Sequence, residues 1–187
     1  MRNNTRRLTT LALTVSMALI LSFIESKLQF IPIYGVKVGL ANIAVIFALY
    51  KFGIKEAIAV SAVRVLLVSM LFGSPVSFIY SLTGAVLSLS IMSVLKAFTP
   101  LTVITISISG GVMHNIGQIC AASIILGTNV VTYYLPFLLI SGMIAGVAVG
   151  IASEILIKKI TINFDYVNKS REKNTVSENT EGEQHEG

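Results

Sequence analysis

Polar side chains of a kind that can bind small molecules occur inside long apolar stretches of this sequence. Arg64 stands within one apolar stretch, and a second stretch contains His114, Asn115 and Gln118. A guanidinium binds carboxylate or phosphate groups through paired hydrogen bonds, while amides and neutral imidazole add directional hydrogen bonds. Such groups are costly in hydrocarbon unless they face a partner, a cavity or a ligand, so they are candidate binding residues.

The composition is that of an integral membrane protein. Of the 187 residues, 54% are hydrophobic and 12% are charged, and the mean hydropathy is +0.82. A soluble domain carries about 25% charged residues. The net charge is +5, but the basic residues lie at the ends of the apolar stretches, which does not favour a nucleic-acid partner. The single cysteine, Cys120, excludes an internal disulfide.

The apolar stretches predict an all-α bundle of six transmembrane helices within residues 1–160. The predicted spans are residues 8–24, 36–50, 54–72, 78–95, 101–126 and 133–157. Most have the roughly 17–25 residues that cross a bilayer, and the short loops between them contain Gly, Pro, Asn and Ser. Residues 161–187 are polar and predict a disordered cytoplasmic tail.

Basic residues alternate between the two ends of the bundle. One end has Arg2, Arg6, Arg7, Lys51, Lys55, Lys96, Lys158 and Lys159, and the other has Lys27 and Lys37. The positive-inside rule therefore predicts a multi-pass protein of the cell membrane with both termini in the cytoplasm.

Depth in the membrane brings the polar residues together in the outer half of the bundle. Arg64 is the eleventh residue of its span and lies roughly 15 Å into the membrane. His114 lies roughly 20 Å in, and Gln118 follows one turn later on the same face. The predicted substrate-binding residues are Lys37, Asn42, Arg64, His114, Asn115 and Gln118. The alternatives are an interfacial role for Lys37, helix-bridging roles for Asn42 and Gln118, a hydrogen-bonded packing role for His114, and a structural pair of Arg64 with Glu25.

Small residues recur at four-residue spacing in the first and last spans. Gly142, Gly146 and Gly150 form such a row in the last span, and we interpret it as packing within the bundle. In the first span the small pairs are Ala12 with Ser16 and Ala18 with Ser22. For these four residues a contact with another membrane protein is as plausible as internal packing. The adjacent Gly110 and Gly111 are compatible with close packing, a kink, or backbone exposed to a ligand.

Motifs that would support catalysis are missing from the sequence. There is no Gly-rich phosphate loop, and the single Asp, Asp165, cannot form the carboxylate cluster that holds Mg²⁺ and diphosphate. We therefore expect neither an enzyme nor a metal or cofactor site.

Three segments resemble the Gx transporter family, which is often labelled heptaprenyl diphosphate synthase component I. They are residues 32–42, residues 64–67 with 71–74, and residues 110–118, of which His-Asn-Ile-Gly-Gln at 114–118 is the most specific. The family is similar to the substrate-binding S components of energy-coupling factor (ECF) transporters. The resemblance implies capture of an extracellular solute and docking of the first span on a coupling membrane protein that two ATPases drive. Ala12 and Ser16 match that docking face loosely.

Two function classes follow from these observations. The first is the binding subunit of an ECF-type transporter for a small polar or anionic solute. The second is a non-catalytic membrane component beside a heptaprenyl diphosphate synthase in menaquinone side-chain synthesis. The outer position of the polar residues favours the first, since a cytosolic diphosphate would meet the inner face. A purely structural bundle would leave Arg64 unexplained.

Overall fold

The computed structural model describes residues 2–28 and 39–185, and for residues 161–185 it describes the backbone alone. Within these ranges every regular element is helical. The elements are α1 Arg2–Leu28, α2 Asn42–Lys51, α3 Ile54–Phe72, α4 Pro75–Phe98, α5 Val103–Leu126, a 3₁₀ helix Asn129–Tyr134, and α6 Leu135–His185. The predicted all-α class is confirmed.

Local sequence signals set the helix ends. Helix α4 begins with Pro75 at its first position, and the Ser74 hydroxyl caps it by accepting a hydrogen bond from the Ser77 N–H at 3.2 Å. Helix α5 ends at Gly127, whose φ of 60° is the left-handed conformation that favours glycine. Capping therefore begins α4 three residues before the apolar span predicted at residue 78.

Among the described residues, four helical segments are long and apolar enough to cross a membrane. They are Leu8–Lys27, Pro75–Phe98, Val103–Leu126 and Thr132–Ile160. Helix α2 is apolar but has only 10 residues. Helix α3 has 19 residues and contains Lys55, Glu56 and Arg64. The structure thus defines a helical membrane protein with several candidate spans, and the count of six stays a prediction.

Helix α2 lies at the centre of the apolar core. Residues 44–49 are all at most 2% exposed, and they pack with Val60 of α3 and Ile106 of α5. Many large apolar side chains face outward, as Met70, Phe98 and Ile124 illustrate at 77%, 82% and 80% exposure. This distribution suits a protein surrounded by lipid.

The glycine row of α6 packs directly against the backbone of α5. A Cβ atom on Gly146 would lie 2.6 Å from the Ile108 Cα, and one on Gly111 would lie 2.5 Å from the Gly142 carbonyl oxygen. These distances leave no room for a side chain, so the interpretation as internal packing is confirmed. Helix α5 runs unbroken through Gly110 and Gly111, so close packing, and not a break, accounts for this pair.

Contacts divide the chain into two units, Met1–Glu154 and Ile155–Gly187. The candidate site described below lies within the first unit. In the second, the structure continues α6 as a helix to His185, whereas the sequence predicts a disordered tail from residue 161. Lys, Glu and Gln favour helix locally, and no glycine occurs between Gly150 and Gly182. The boundary at residue 160 stays a prediction.

Candidate functional site

A cavity of about 160 Å³ with a mixed polar and apolar wall lies inside the bundle, where α1 to α6 all contribute lining residues. Apolar side chains from the core line part of it, among them Ile46, Val65 and Met92. The remainder of its wall is formed by charged groups, amides, serine hydroxyls and glycine backbone. A mixed lining of this kind in a membrane bundle can bind a ligand that carries both polar and apolar parts.

Arg64 is the central charged group of this cavity. Its position on α3 follows from the helical period, because Ala57, Val60 and Ser61 on the same helix are also buried. The side chain is only 9% exposed, and its Nη1 donates a hydrogen bond to the Asn42 Oδ1 at 2.9 Å. This bond joins the middle of α3 to the first residue of α2, two positions that the sequence predicted only to share a depth.

Glu25 supplies the opposite charge in the cavity wall. It lies near the end of α1, is 9% exposed, and accepts a hydrogen bond from the Gly39 N–H at 2.6 Å. Gly39 has a φ of 72°, a conformation that favours glycine at this approach to α2. The Glu25 carboxylate also attracts the Arg64 guanidinium electrostatically. The hydrogen bond of Arg64 goes to Asn42, so the structural pair of Arg64 with Glu25 stays a prediction.

His114 and Asn115 line the cavity from α5. Space for the imidazole depends on Gly84 of α4, because a Cβ atom there would lie 2.8 Å from the His114 Cε1. The Asn115 Nδ2 donates to the Leu138 carbonyl at 2.5 Å, and the Ser141 hydroxyl donates to the same carbonyl at 2.9 Å. Asn115 thus ties α5 to α6 while it also lines the cavity.

The structure brings four of the six predicted binding residues to one cavity: Asn42, Arg64, His114 and Asn115. Gln118 is half-buried and does not line it, so its role in binding stays a prediction. Next to it, at Gly117, α5 packs closely on α4, because a Cβ atom there would lie 2.8 Å from the Thr83 carbonyl oxygen. Lys37 lies outside the described residues.

Serine hydroxyls are the lining groups that the sequence reasoning missed. Serines of four helices line the cavity, among them Ser77, Ser81 and Ser88 on α4 and Ser107 on α5. Ser107 is 3% exposed, and its Oγ has no hydrogen-bond partner among the described residues. The spacing of four and seven residues between the three serines of α4 could have indicated this role, because it puts their hydroxyls on one face of the helix.

The small residues of α1 divide between two faces. Ala12 and Ser16 are exposed, whereas Ala18 is fully buried and Ser22 is 7% exposed and lines the cavity. From Ala12 to Ala18 the helix turns by roughly 600°, which places the two pairs on different sides. Of the four predicted coupling residues, Ala12 and Ser16 are thus open to a contact from outside, whereas Ala18 and Ser22 are buried; the coupling role itself stays a prediction.

Together these features define a helical membrane protein with a buried polar cavity at its centre. The chain belongs to the heptaprenyl diphosphate synthase component I family, whose family model matches residues 14–156. This range includes every residue that lines the cavity. No curated protein and no solved structure matches the chain.

Proposed function

We propose that this chain is the membrane-embedded substrate-binding subunit of an ECF-type transporter and that it captures a small polar solute from outside the cell. The observation that carries the proposal is the buried Arg64 in the wall of a central cavity, with Glu25, His114 and serine hydroxyls around it. Ionisable groups within membrane helices mark substrate paths, because their burial is otherwise unfavourable.

Six spans with both termini in the cytoplasm complete the proposed arrangement in the cell membrane. Helix α3 has 19 residues and a length of about 28 Å, close to the thickness of the hydrocarbon core. Its buried Arg64 faces the cavity, so lipid meets its apolar side chains such as Leu66 and Met70. The excess of Lys and Arg at one end of the bundle supports the cytoplasmic position of the termini.

Energy for transport would come from other subunits. The sequence has no phosphate-binding loop, and a binding subunit alone cannot accumulate a solute. We propose that a coupling transmembrane protein contacts the exposed small residues Ala12 and Ser16 of α1 and that ATPase subunits drive it.

The family description favours a second candidate, a membrane component that accompanies a heptaprenyl diphosphate synthase. In that case the chain would be non-catalytic, because its only Asp, Asp165, cannot form a Mg²⁺-diphosphate site. The cavity would then hold a ligand of the membrane instead of an extracellular solute.

Purification of the tagged chain in mild detergent separates the two candidates. Under the transporter proposal, a multi-span membrane protein and ATPases co-purify, and proteoliposomes of that complex accumulate the compound released from the cavity only with ATP. Co-purification of a soluble prenyltransferase whose activity rises on addition of the chain would support the second candidate and contradict the first.

A further inference from the structure

The charges that the described residues contribute to the cavity wall cancel. Of the described residues that line it, three are titratable: Glu25, Arg64 and His114. With a neutral imidazole the formal charge is one positive and one negative, and both charged side chains are 9% exposed. In a low-dielectric interior an unbalanced charge is strongly unfavourable, so a ligand that adds net charge would be disfavoured.

Each charged group also retains hydrogen-bonding capacity towards the cavity. Arg64 has five N–H donors and gives one hydrogen bond to Asn42. Glu25 has two carboxylate oxygens and accepts one hydrogen bond from the Gly39 N–H. Both groups can therefore bind a further partner. They also attract each other electrostatically.

A buried hydroxyl gives independent support for a ligand. Ser107 lines the same cavity, is 3% exposed, and has no partner for its Oγ among the described residues. A buried polar atom without a partner is unfavourable, and a bound polar molecule would satisfy it.

We propose that the ligand is a small zwitterion whose anionic group binds Arg64 and whose cationic group binds Glu25. This inference rests on the proposed binding function and specifies its substrate class. A zwitterion gives each buried charge a counter-charge and leaves the complex neutral. The cavity of about 160 Å³ resembles in volume a cavity of ~150 Å³ that holds benzene, so the ligand has the size of a single ring.

Four para-substituted ring compounds of similar size test the charge preference: para-(aminomethyl)benzoate, para-methylbenzoate, para-methylbenzylamine and para-(hydroxymethyl)benzamide. They carry, in order, both charges, a negative charge, a positive charge and none. Binding to the ligand-stripped full chain in detergent is measured by calorimetry at about pH 8, above the ordinary pKa of histidine. We expect the zwitterion to bind at least tenfold more tightly than each of the other three.

Variants that remove a charge from the cavity wall should change which of the four compounds binds most tightly. Glu25→Gln should bind para-methylbenzoate at least as tightly as the zwitterion, and Arg64→Gln should do the same for para-methylbenzylamine. The double variant restores a neutral wall, so it keeps the inference testable if a single variant does not fold, and it should favour the uncharged benzamide. Glu56→Gln and Lys55→Gln, which remove charges elsewhere on α3, should leave the wild-type order unchanged.

Tighter binding of a singly charged or uncharged probe to the wild type would overturn the inference, as would binding of none of the four. The compound that co-purifies with the chain distinguishes this failure from failure of the proposed function. If the co-purified compound does not carry both charges but is lost from Arg64→Ala, the zwitterion inference is refuted and the binding function is supported. Absence of any Arg64-dependent compound would count against the binding function itself.

Discussion

The Arg64 guanidinium donates a hydrogen bond of 2.9 Å to the Asn42 side-chain oxygen and so joins α3 to the start of α2 inside the cavity wall. Asn42 is also adjacent to the turn at Gly39, whose N–H is held by Glu25 of α1. Three helices are thus connected by polar contacts at one end of the cavity. A ligand that binds Arg64 would act on the position of all three.

Removal of the Asn42 amide should weaken both the fold and ligand binding. Asn42→Ala leaves Arg64 buried without this acceptor, and hydrogen bonds to charged groups contribute about 1.5–3 kcal/mol. We expect a lower unfolding temperature in detergent and a lower occupancy by the co-purified compound. Gln118→Ala is the control, since Gln118 is an amide outside the cavity. Equal unfolding temperatures and equal occupancies of Asn42→Ala and Gln118→Ala would contradict a role for the Asn42–Arg64 hydrogen bond.

Close packing of α5 and α6 should make the glycine row intolerant of side chains. Gly146→Val introduces a Cβ atom 2.6 Å from the Ile108 Cα, and overpacking costs about 1–3 kcal/mol. Thermal unfolding of the purified protein should show a clear loss of stability. The matched control is Ala148→Val, two residues away on an exposed part of α6. A stability of Gly146→Val equal to that of the control would show that the helices separate readily.

The two faces of α1 should respond differently to leucine. Ala12→Leu and Ser16→Leu add bulk on the exposed side, so they should abolish ATP-dependent uptake and co-purification of the coupling protein without loss of the bound compound. Ala18→Leu overfills a fully buried site and should reduce the yield of folded protein instead. If leucine at Ala12 and leucine at Ser16 both leave uptake unaffected, these two residues do not form the docking face.

Membrane orientation can be read by cysteine labelling of intact cells. In a Cys120→Ala background, Thr128→Cys should react with an impermeant maleimide added outside, because it lies in an exposed turn after α5, at the end that the basic residues predict to be outside. Lys51→Cys at the end of α2 should react only after the membrane is permeabilised. The reverse pattern would place the polar cavity towards the cytoplasm and would remove the support for capture from outside.

The sequence predicted the ends of a helix well where strong local signals stand on both sides of it. The span expected at residues 54–72 is α3 with the same ends, because Gly53 and Gly73 stand on either side of an apolar run. The 3₁₀ helix Asn129–Tyr134 was not predicted, since short turns of this kind depend on a local cap, here the Thr128 hydroxyl on the Val130 N–H.

The cavity could be predicted only in part. Helical period and depth selected Arg64 and His114, but they could not decide which neighbouring helix each side chain would face. The four-residue spacing from His114 suggested that Gln118 faces the same site, but Gln118 does not line the cavity. The close contact of α4 with α5 at Gly117 is a tertiary feature that this spacing does not encode. Lys96 was assigned to a loop, whereas its Nζ donates to the Leu49 carbonyl at 2.5 Å and so caps α2 from α4.

Mass spectrometry of the compound released from the purified chain tests the central claim most directly. Wild type and the control Lys55→Ala should carry the same small molecule, while folded, monodisperse Arg64→Ala should retain less than a tenth of it, equivalent to about 1.4 kcal/mol of lost binding. Retention of the compound by Arg64→Ala at the wild-type level would contradict the account. Collapse of both Arg64→Ala and Glu25→Gln during purification would contradict it equally, because it would make the two residues a structural ion pair.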